Sequence, residues 1–266
     1  MSGPPLAVAV EAVAFWAQHL PSWEIARAVI RGEQAVPEAV LSRPAPTLLP
    51  PTERRRAPDT VAVALEVATR ACEAAGRSPA ELPAVFASTH GDLAISDYLC
   101  ATLASTPALV SPTKFHNSVH NAAAGYWSIG TGSYAPYTAI SAYRYTFGAG
   151  LLEAATQVIC EGTPVLYVAF DIEAKGPLGS VATSRGVLGV AVVLGPEPIA
   201  GRPRLALHVE SVDPVRATPP RSAVASLLAD NALAPCLPLF EALADRASST
   251  VQLALSERAA LHVQVS

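Results

Sequence analysis

The stretch Ala135–Ala174, APYTAISAYRYTFGAGLLEAATQVICEGTPVLYVAFDIEA, leaves the chain few folds to choose from. Thr138–Ser141 is short and β-permissive, and Phe147, Leu151, Ala155 and Val158 or Ile159 then recur at helical spacing. That stripe predicts a helix over Tyr145–Glu161 with one face in the core. Gly162 stands where a left-handed terminator belongs. Val165–Phe170 follows as an unbroken apolar run, the pattern of a strand covered on both faces. A strand, a sharp turn, a buried helix and a doubly covered strand demand packed layers, so the expected class is α/β, a mixed sheet layered with helices.

Ala7–Trp16 mixes strand and helix signals, and Trp23–Arg31 predicts a short helix. From about residue 43 to 58, Pro44, Pro46, Pro50 and Pro51 discourage any continuous element, so a connector is expected inside one domain spanning 1–266. Asp59 or Thr60 is placed to cap a helix over Val61–Ala75, with Gly76 just beyond. Further helices are expected at Ile95–Ala104, Asn117–Gly130 and Cys236–Ala247. Strands are expected at Val85–Ser88, Gly189–Leu194, Arg204–Ser211, Val251–Leu255 and Ala260–Val265.

Composition narrows the function. With 51% hydrophobic and 15% charged residues, the chain is core-rich, and so large an apolar share suggests surface covered by a partner. A net charge of −4 gives no reason to expect nucleic acid. No apolar run reaches the roughly 20 residues that span a bilayer, and MSGPPLAVAVEAVAFW lacks a basic leader, so a cytoplasmic location without membrane attachment is expected. Cys72, Cys100, Cys160 and Cys236 are widely spaced without a CxxC pair, and all four read as buried or inert thiols.

Two segments carry candidate chemistry. The turn before the central helix holds Tyr143, Arg144, Tyr145 and Thr146, at a helix N-terminus where an acyl-transfer enzyme places a nucleophile. Upstream, Phe115-His116-Asn117-Ser118-Val119-His120-Asn121 puts two histidines four apart, on one face if the segment is helical. The HExxH base is missing because residue 117 is Asn, and no third ligand declares itself beyond a nearby His90 or Asp92, so no metal is expected. Ser141, His90 and Asp92 offer the members of a hydrolytic triad without anything to position them. No GxSxG, GxxxxGK or GxGxxG motif occurs, Gly130-Thr131-Gly132 stopping short of the last, and no cofactor is expected. Arg54, Arg55 and Arg56 form the densest charge run, suited either to a solvated helix entry or to steering an acidic partner.

From about Ala84 to Gly195 the chain resembles the ketosynthase branch of the thiolase-like superfamily, in particular the short ketoacyl-synthase-like N-terminal domain proteins. The residues that carry the resemblance are Ser111-Pro112, Asn121, Ala124-Gly125 and Ala135-Pro136, with ungapped spacing from Asn121 to Gly162. Counting back from Gly162, the family's nucleophilic cysteine falls on Tyr145. Condensation needs a thiolate, whereas a phenol has a reference pKa of about 10 and would form an unsuitable ester. The HGTGT and NFGFGG types of motif that bring two histidines to active relatives are absent after Ala174.

The resemblance implies a thiolase-like half-fold acting as a non-catalytic, chain-length-factor-type partner of an active ketosynthase, in aryl polyene, other pigment or related type II polyketide synthesis. Its partners would be that ketosynthase, in a heterodimer, and an acyl carrier protein docking at Arg54, Arg55 and Arg56. Phe115, His116, Asn117, His120 and Asn121 would then wall the partner's acyl tunnel, while Tyr143, Arg144, Tyr145 and Thr146 would occupy a vestigial pocket. Two alternatives are an acyl transferase or decarboxylating priming factor using His116 or His120, and a small-ligand-binding module with a degenerate acyl pocket.

Overall fold

The computed structural model describes residues 5–245 and 247–266. Its strands are β1 (Leu6–Ala17), β2 (Ala84–Ala87), β3 (Tyr137–Ile140), β4 (Val165–Asp171), β5 (Leu188–Gly195), β6 (Arg204–Ser211), β7 (Ser249–Ala254) and β8 (Ala259–Val265). The helices are α1 (Trp23–Ile30), α2 (Pro51–Arg56), α3 (Asp59–Ala75), α4 (Leu93–Ser105), α5 (Pro112–His116), α6 (Ala122–Thr131), α7 (Thr146–Glu161), α8 (Ala223–Leu228) and α9 (Leu237–Ala244). All eight strands join one sheet in the order β3-β2-β4-β5-β1-β6-β8-β7. β3, β2 and β4 run parallel, and every other neighbouring pair is antiparallel. The parallel pairs need crossovers, which α4 to α6 and then α7 supply.

Every residue of β4 and β5 is buried, as a strand between two helical layers requires. Side-chain alternation splits the core accordingly. Val165, Tyr167 and Ala169 join one cluster with α7 and α9, while Leu166, Val168 and Phe170 join another with α3 and α6. β1 crosses this boundary at an irregularity between Val10 and Ala12, where an extra residue shifts the register against β5. That residue, Glu11, is buried and accepts both Nε and Nη2 of Arg77 at 2.8 Å. The bidentate contact raises the Arg77 pKa.

The central helix sits unusually close to β4. A Cβ on Gly150 would lie 2.7 Å from Cε2 of Tyr167, whose buried hydroxyl donates to the carbonyl of Phe147 at 2.7 Å. Leu151, Ala155 and Val158 are buried as the periodicity predicts, and Ile159 is exposed, which settles the choice between the last two.

Several expectations change. Asn117–Gly130 is not one helix: α5 ends at His116, residues 117–121 turn, and α6 starts at Ala122. The N–H and hydroxyl of Ser118 both bond the carbonyl of Phe115, at 3.2 and 2.8 Å, drawing the backbone out of the helical pattern. The proline-rich connector contains α2, which begins with Pro51 at its first position, where a missing N–H costs nothing. α3 starts at Asp59 without a side-chain cap, Pro58 occupying the cap position. Ala7–Trp16 resolves as strand, α8 lies where no element was expected, and α9 stops at Ala244. The expected extension of α9 to Ala247 includes Arg246, which, like residues 1–4 of the N-terminal reading, lies outside the described residues. Cys72 and Cys236 are buried thiols, with Cys72 pushed up to about 12 by desolvation, but Cys100 and Cys160 are exposed.

The approach of α7 to β4 predicts the sign of a substitution. Gly150→Ala gains about 1 kcal/mol of helix propensity, but it displaces Tyr167, and overpacking plus a strained buried hydrogen bond cost about 2–5 kcal/mol. The variant should unfold at lower urea concentration than the parent; an equal or higher midpoint would show that Tyr167 yields freely.

Candidate functional site

The turn between β3 and α7 is strained. Tyr143 has φ of 53°, a left-handed conformation rare for an aromatic residue and costing on the order of 1–3 kcal/mol. The following residues hold it. Thr146 is buried, donates its hydroxyl to the carbonyl of Tyr143 at 2.6 Å and accepts the Ala142 N–H at 2.9 Å, and the Tyr145 N–H bonds the Ala142 carbonyl at 3.0 Å. Tyr145 is thereby held half-buried at the N-cap of α7.

A cavity of about 790 Å³ lies beside it. Arg144, Tyr145 and Gly148 form one wall, and Arg185, Pro219 and Leu253 belong to the others. About half of the lining is alanine and proline, so the site offers largely apolar volume with the guanidinium groups of Arg144 and Arg185 and the carboxylate of Asp230 on its wall. Tyr143 and Thr146 do not line it, and Tyr143 and Arg144 are exposed, so the turn walls the cavity instead of plugging it. Periodicity could not reveal the 183–185, 217–220 and 229–235 walls, because they come from irregular chain.

Behind the turn, the ends of the parallel strands are tied by Asp171, which is 1% exposed. Its Oδ1 accepts the Ser88 hydroxyl and the Thr89 N–H, each at 2.9 Å, and its Oδ2 accepts the Thr89 hydroxyl at 2.6 Å. Ser141 donates to the Thr89 carbonyl at 3.0 Å, and Nε2 of His120 lies 2.8 Å from the Ser88 carbonyl oxygen. The available sequence signal for this knot was an aspartate closing an apolar strand, opposite Ser-Thr closing another.

His116 and His120 are separated in role by the break in their helix. His116 packs edge-on against Tyr126, with ring centroids 5.9 Å apart, whereas His120 serves the Ser88 loop. Asn117 is buried with its Oδ1 lacking a hydrogen-bond partner among the described residues, Asn121 stands at the N-cap of α6 without a side-chain cap, and Phe115 is 64% exposed. Ser141 and Asp92 are likewise engaged with backbone, Asp92 capping α4 through the Ile95 N–H at 3.0 Å. Burial lowers the His90 pKa. Arg54 donates to the Leu49 carbonyl at 3.0 Å, and Arg55 and Arg56 are exposed on the last turn of α2.

Residues 29–256 match the family model described as beta-ketoacyl synthase, N-terminal domain. The chain belongs to the beta-ketoacyl synthase family. No curated protein matches its sequence. Among solved structures, it is similar to a chain of the ketosynthase (ApeO) in complex with its chain length factor (ApeC) from Xenorhabdus doucetiae. That match has 22% identity and a TM-score of 0.71, covering 97% of this chain and 98% of that one. The ishigamide ketosynthase/chain length factor gives 17% identity and a TM-score of 0.68, covering 99% of both chains. AntDE:AntF, a type II PKS acyl-carrier protein in complex with its ketosynthase bound to the hexaketide, gives 10% and 0.72, again covering 99% of both. The shared feature is the fold: this beta-ketoacyl synthase family member has the thiolase-like arrangement of a mixed sheet between helices. Among its described residues, no helix is long and apolar enough to cross a membrane.

The buried carboxylate gives this family member a pH signature. Desolvation pushes Asp171 up to about 6 against the opposing hydrogen bonds from Thr89 and Ser88. The folded chain therefore holds this proton more tightly than the unfolded chain, whose carboxyl ionises near 3.8. The resulting stability is present below that pH and is lost as pH rises through about 6. In urea titrations, the midpoint of Asp171→Asn minus that of the parent should increase from pH 4 to pH 6 and level off above. A difference independent of pH would refute the assignment.

Proposed function

We propose that this chain is the non-catalytic, chain-length-factor-type subunit of a heterodimer with an active β-ketoacyl synthase. The observation that carries the reading is Tyr145, a phenol held at the N-terminus of the central helix, where condensation requires a thiolate. In the proposed reaction the partner's cysteine takes the acyl group from its carrier protein. Loss of CO2 from a malonyl carrier leaves an enolate, which attacks that thioester carbonyl and expels the thiolate. The partner supplies the cysteine and two histidines, and this chain completes the interface and limits product length.

The surface supports such a partner. β3 is the edge of the sheet, paired on one side by β2, and an unpaired edge is a template for another chain. Near it in the chain, Phe115, Ile129 and Tyr134 are 64%, 81% and 102% exposed, an apolar display that a partner would cover. We assign Phe115, His116, Asn117, His120 and Asn121 to the wall facing the partner's acyl tunnel. Arg55 and Arg56, with Arg54 behind them, are assigned to carrier docking. Within this proposal, Tyr143, Arg144, Tyr145 and Thr146 are the remnant of an acyl-binding turn.

The cavity beside Tyr145 favours a second reading, a small-ligand-binding module whose apolar volume takes an acyl group without reaction. Coexpression with an active ketosynthase from the same organism decides between them. The partner reading expects a heterodimer on sizing, no condensation by this chain alone and condensation by the pair. Phe115→Asp with Ile129→Asp, at exposed positions, should weaken assembly at least tenfold while leaving this chain's own melting temperature within about 2 °C, since surface changes are worth about 0.5 kcal/mol. Turnover of malonyl- and acyl-carrier protein by the isolated chain, or assembly indifferent to the double variant, would overturn the reading.

A further inference from the structure

We infer that His208, His262 and Glu210 form a site for a divalent transition-metal ion of the zinc class, joining β6 to β8. None of the three lines the cavity beside Tyr145.

The sheet register builds the site. His208 on β6 is the direct antiparallel partner of His262 on β8, and Glu210, two residues along β6, shares the face of His208. The two imidazoles stack with centroids 4.8 Å apart and an interplanar angle of 12°. Nε2 of His262 lies 2.8 Å from Oε2 of Glu210, and one potential ligand atom from each residue lies within 4.8 Å of the others. With metal–nitrogen and metal–oxygen bonds of about 2.0–2.2 Å, tetrahedral ligands stand roughly 3.3 Å apart. The histidine–glutamate pair is near that spacing. His208 and Glu210 are exposed and free to close the remaining gap by side-chain rotation.

The surroundings leave room for an ion and its water. Among the described residues, β1 pairs with β6 no further along than Leu6 opposite Leu207, and β8 is the strand that flanks β6 from His208 onward. His208, Val209, Glu210 and Ser211 are all exposed. Three protein ligands with an open side make a site that takes solvent as its remaining ligand. Two imidazoles with one carboxylate select borderline ions such as Zn²⁺, Co²⁺ or Ni²⁺ over Mg²⁺ and Ca²⁺, which prefer all-oxygen shells. An ion held by both strands stabilises the folded chain by mass action, because the unfolded chain does not bring residues 208 and 262 together. Its place is structural: a clasp on the β6-β8-β7 extension of the sheet.

The test is calorimetric titration of the tag-free full chain with ZnCl2, with MgCl2 in parallel. Because Cys100 and Cys160 are exposed thiols that compete for zinc, the titrations use a Cys100→Ser, Cys160→Ser background. One zinc per chain is expected, with micromolar affinity and no magnesium binding. His208→Ala and His262→Ala should each weaken zinc at least tenfold, and Glu210→Gln severalfold. Zinc should raise the melting temperature of the background protein and not that of His208→Ala, whose exposed position leaves folding intact. Bound Co²⁺ should show visible absorption that is lost in both histidine variants. Absence of zinc binding at 100-micromolar chain, or undiminished binding by His208→Ala with His262→Ala, would overturn the site.

Discussion

One buried carboxylate holds the business end of this fold together. Asp171 closes a strand that is covered on both faces, and it receives hydrogen bonds from the serine and threonine that close the neighbouring parallel strand. Burying a charge costs several kcal/mol, and hydrogen bonds to a charged acceptor return about 1.5–3 kcal/mol each. Desolvation outweighs the hydrogen bonds, so the Asp171 carboxyl is pushed up to about 6 from the usual carboxylate value. The loop it fixes then fixes others: Ser88 positions His120, and Thr89 anchors Ser141 at the start of the strained turn. The geometry at Tyr145 is thus held from behind by a group that never faces the cavity.

A turn that stores strain is usually kept because something reactive stands on it. Here the strain is kept at Tyr143, and Thr146 spends both hydrogen-bonding functions of its hydroxyl on maintaining it, yet the residue delivered to the helix N-terminus is a phenol. The same turn also sets the entry angle of α7, whose Gly150 must meet Tyr167 at close range. Relaxing the turn would move that helix against β4. Packing alone therefore gives a reason to keep the turn, independent of any nucleophile.

What could be read from the residues followed periodicity. The stripe Phe147, Leu151, Ala155, Val158 located α7, and the unbroken run Val165–Phe170 announced a doubly buried strand, because both patterns are set by which face meets the core. The α/β class followed from them. Reading failed where local hydrogen bonding competes with periodicity. Ser118 breaks the helix that would have aligned His116 with His120, and prolines that argued against structure instead start α2. The Asp171 knot left only a faint mark, an aspartate and a Ser-Thr pair at the ends of two apolar strands, and most of the cavity wall left none, because it joins residues far apart in sequence through irregular chain. The histidine–glutamate cluster was hidden for a similar reason: it exists only once the β6–β8 register is known.

The sheet is asymmetric in a way that bears on assembly. At one end β6, β8 and β7 extend it, with α8 and α9 filling the core beneath; at the other, the four-residue β3 is the last strand among the described residues. A short edge strand is itself a device against indiscriminate pairing, since it offers few backbone groups to a stranger. Selectivity must then come from the side chains around it, and those are the exposed aromatics and aliphatics of α5, α6 and the chain leading into β3. In the proposed heterodimer, a brief backbone template with a broad apolar rim would favour one shaped partner over open-ended self-association.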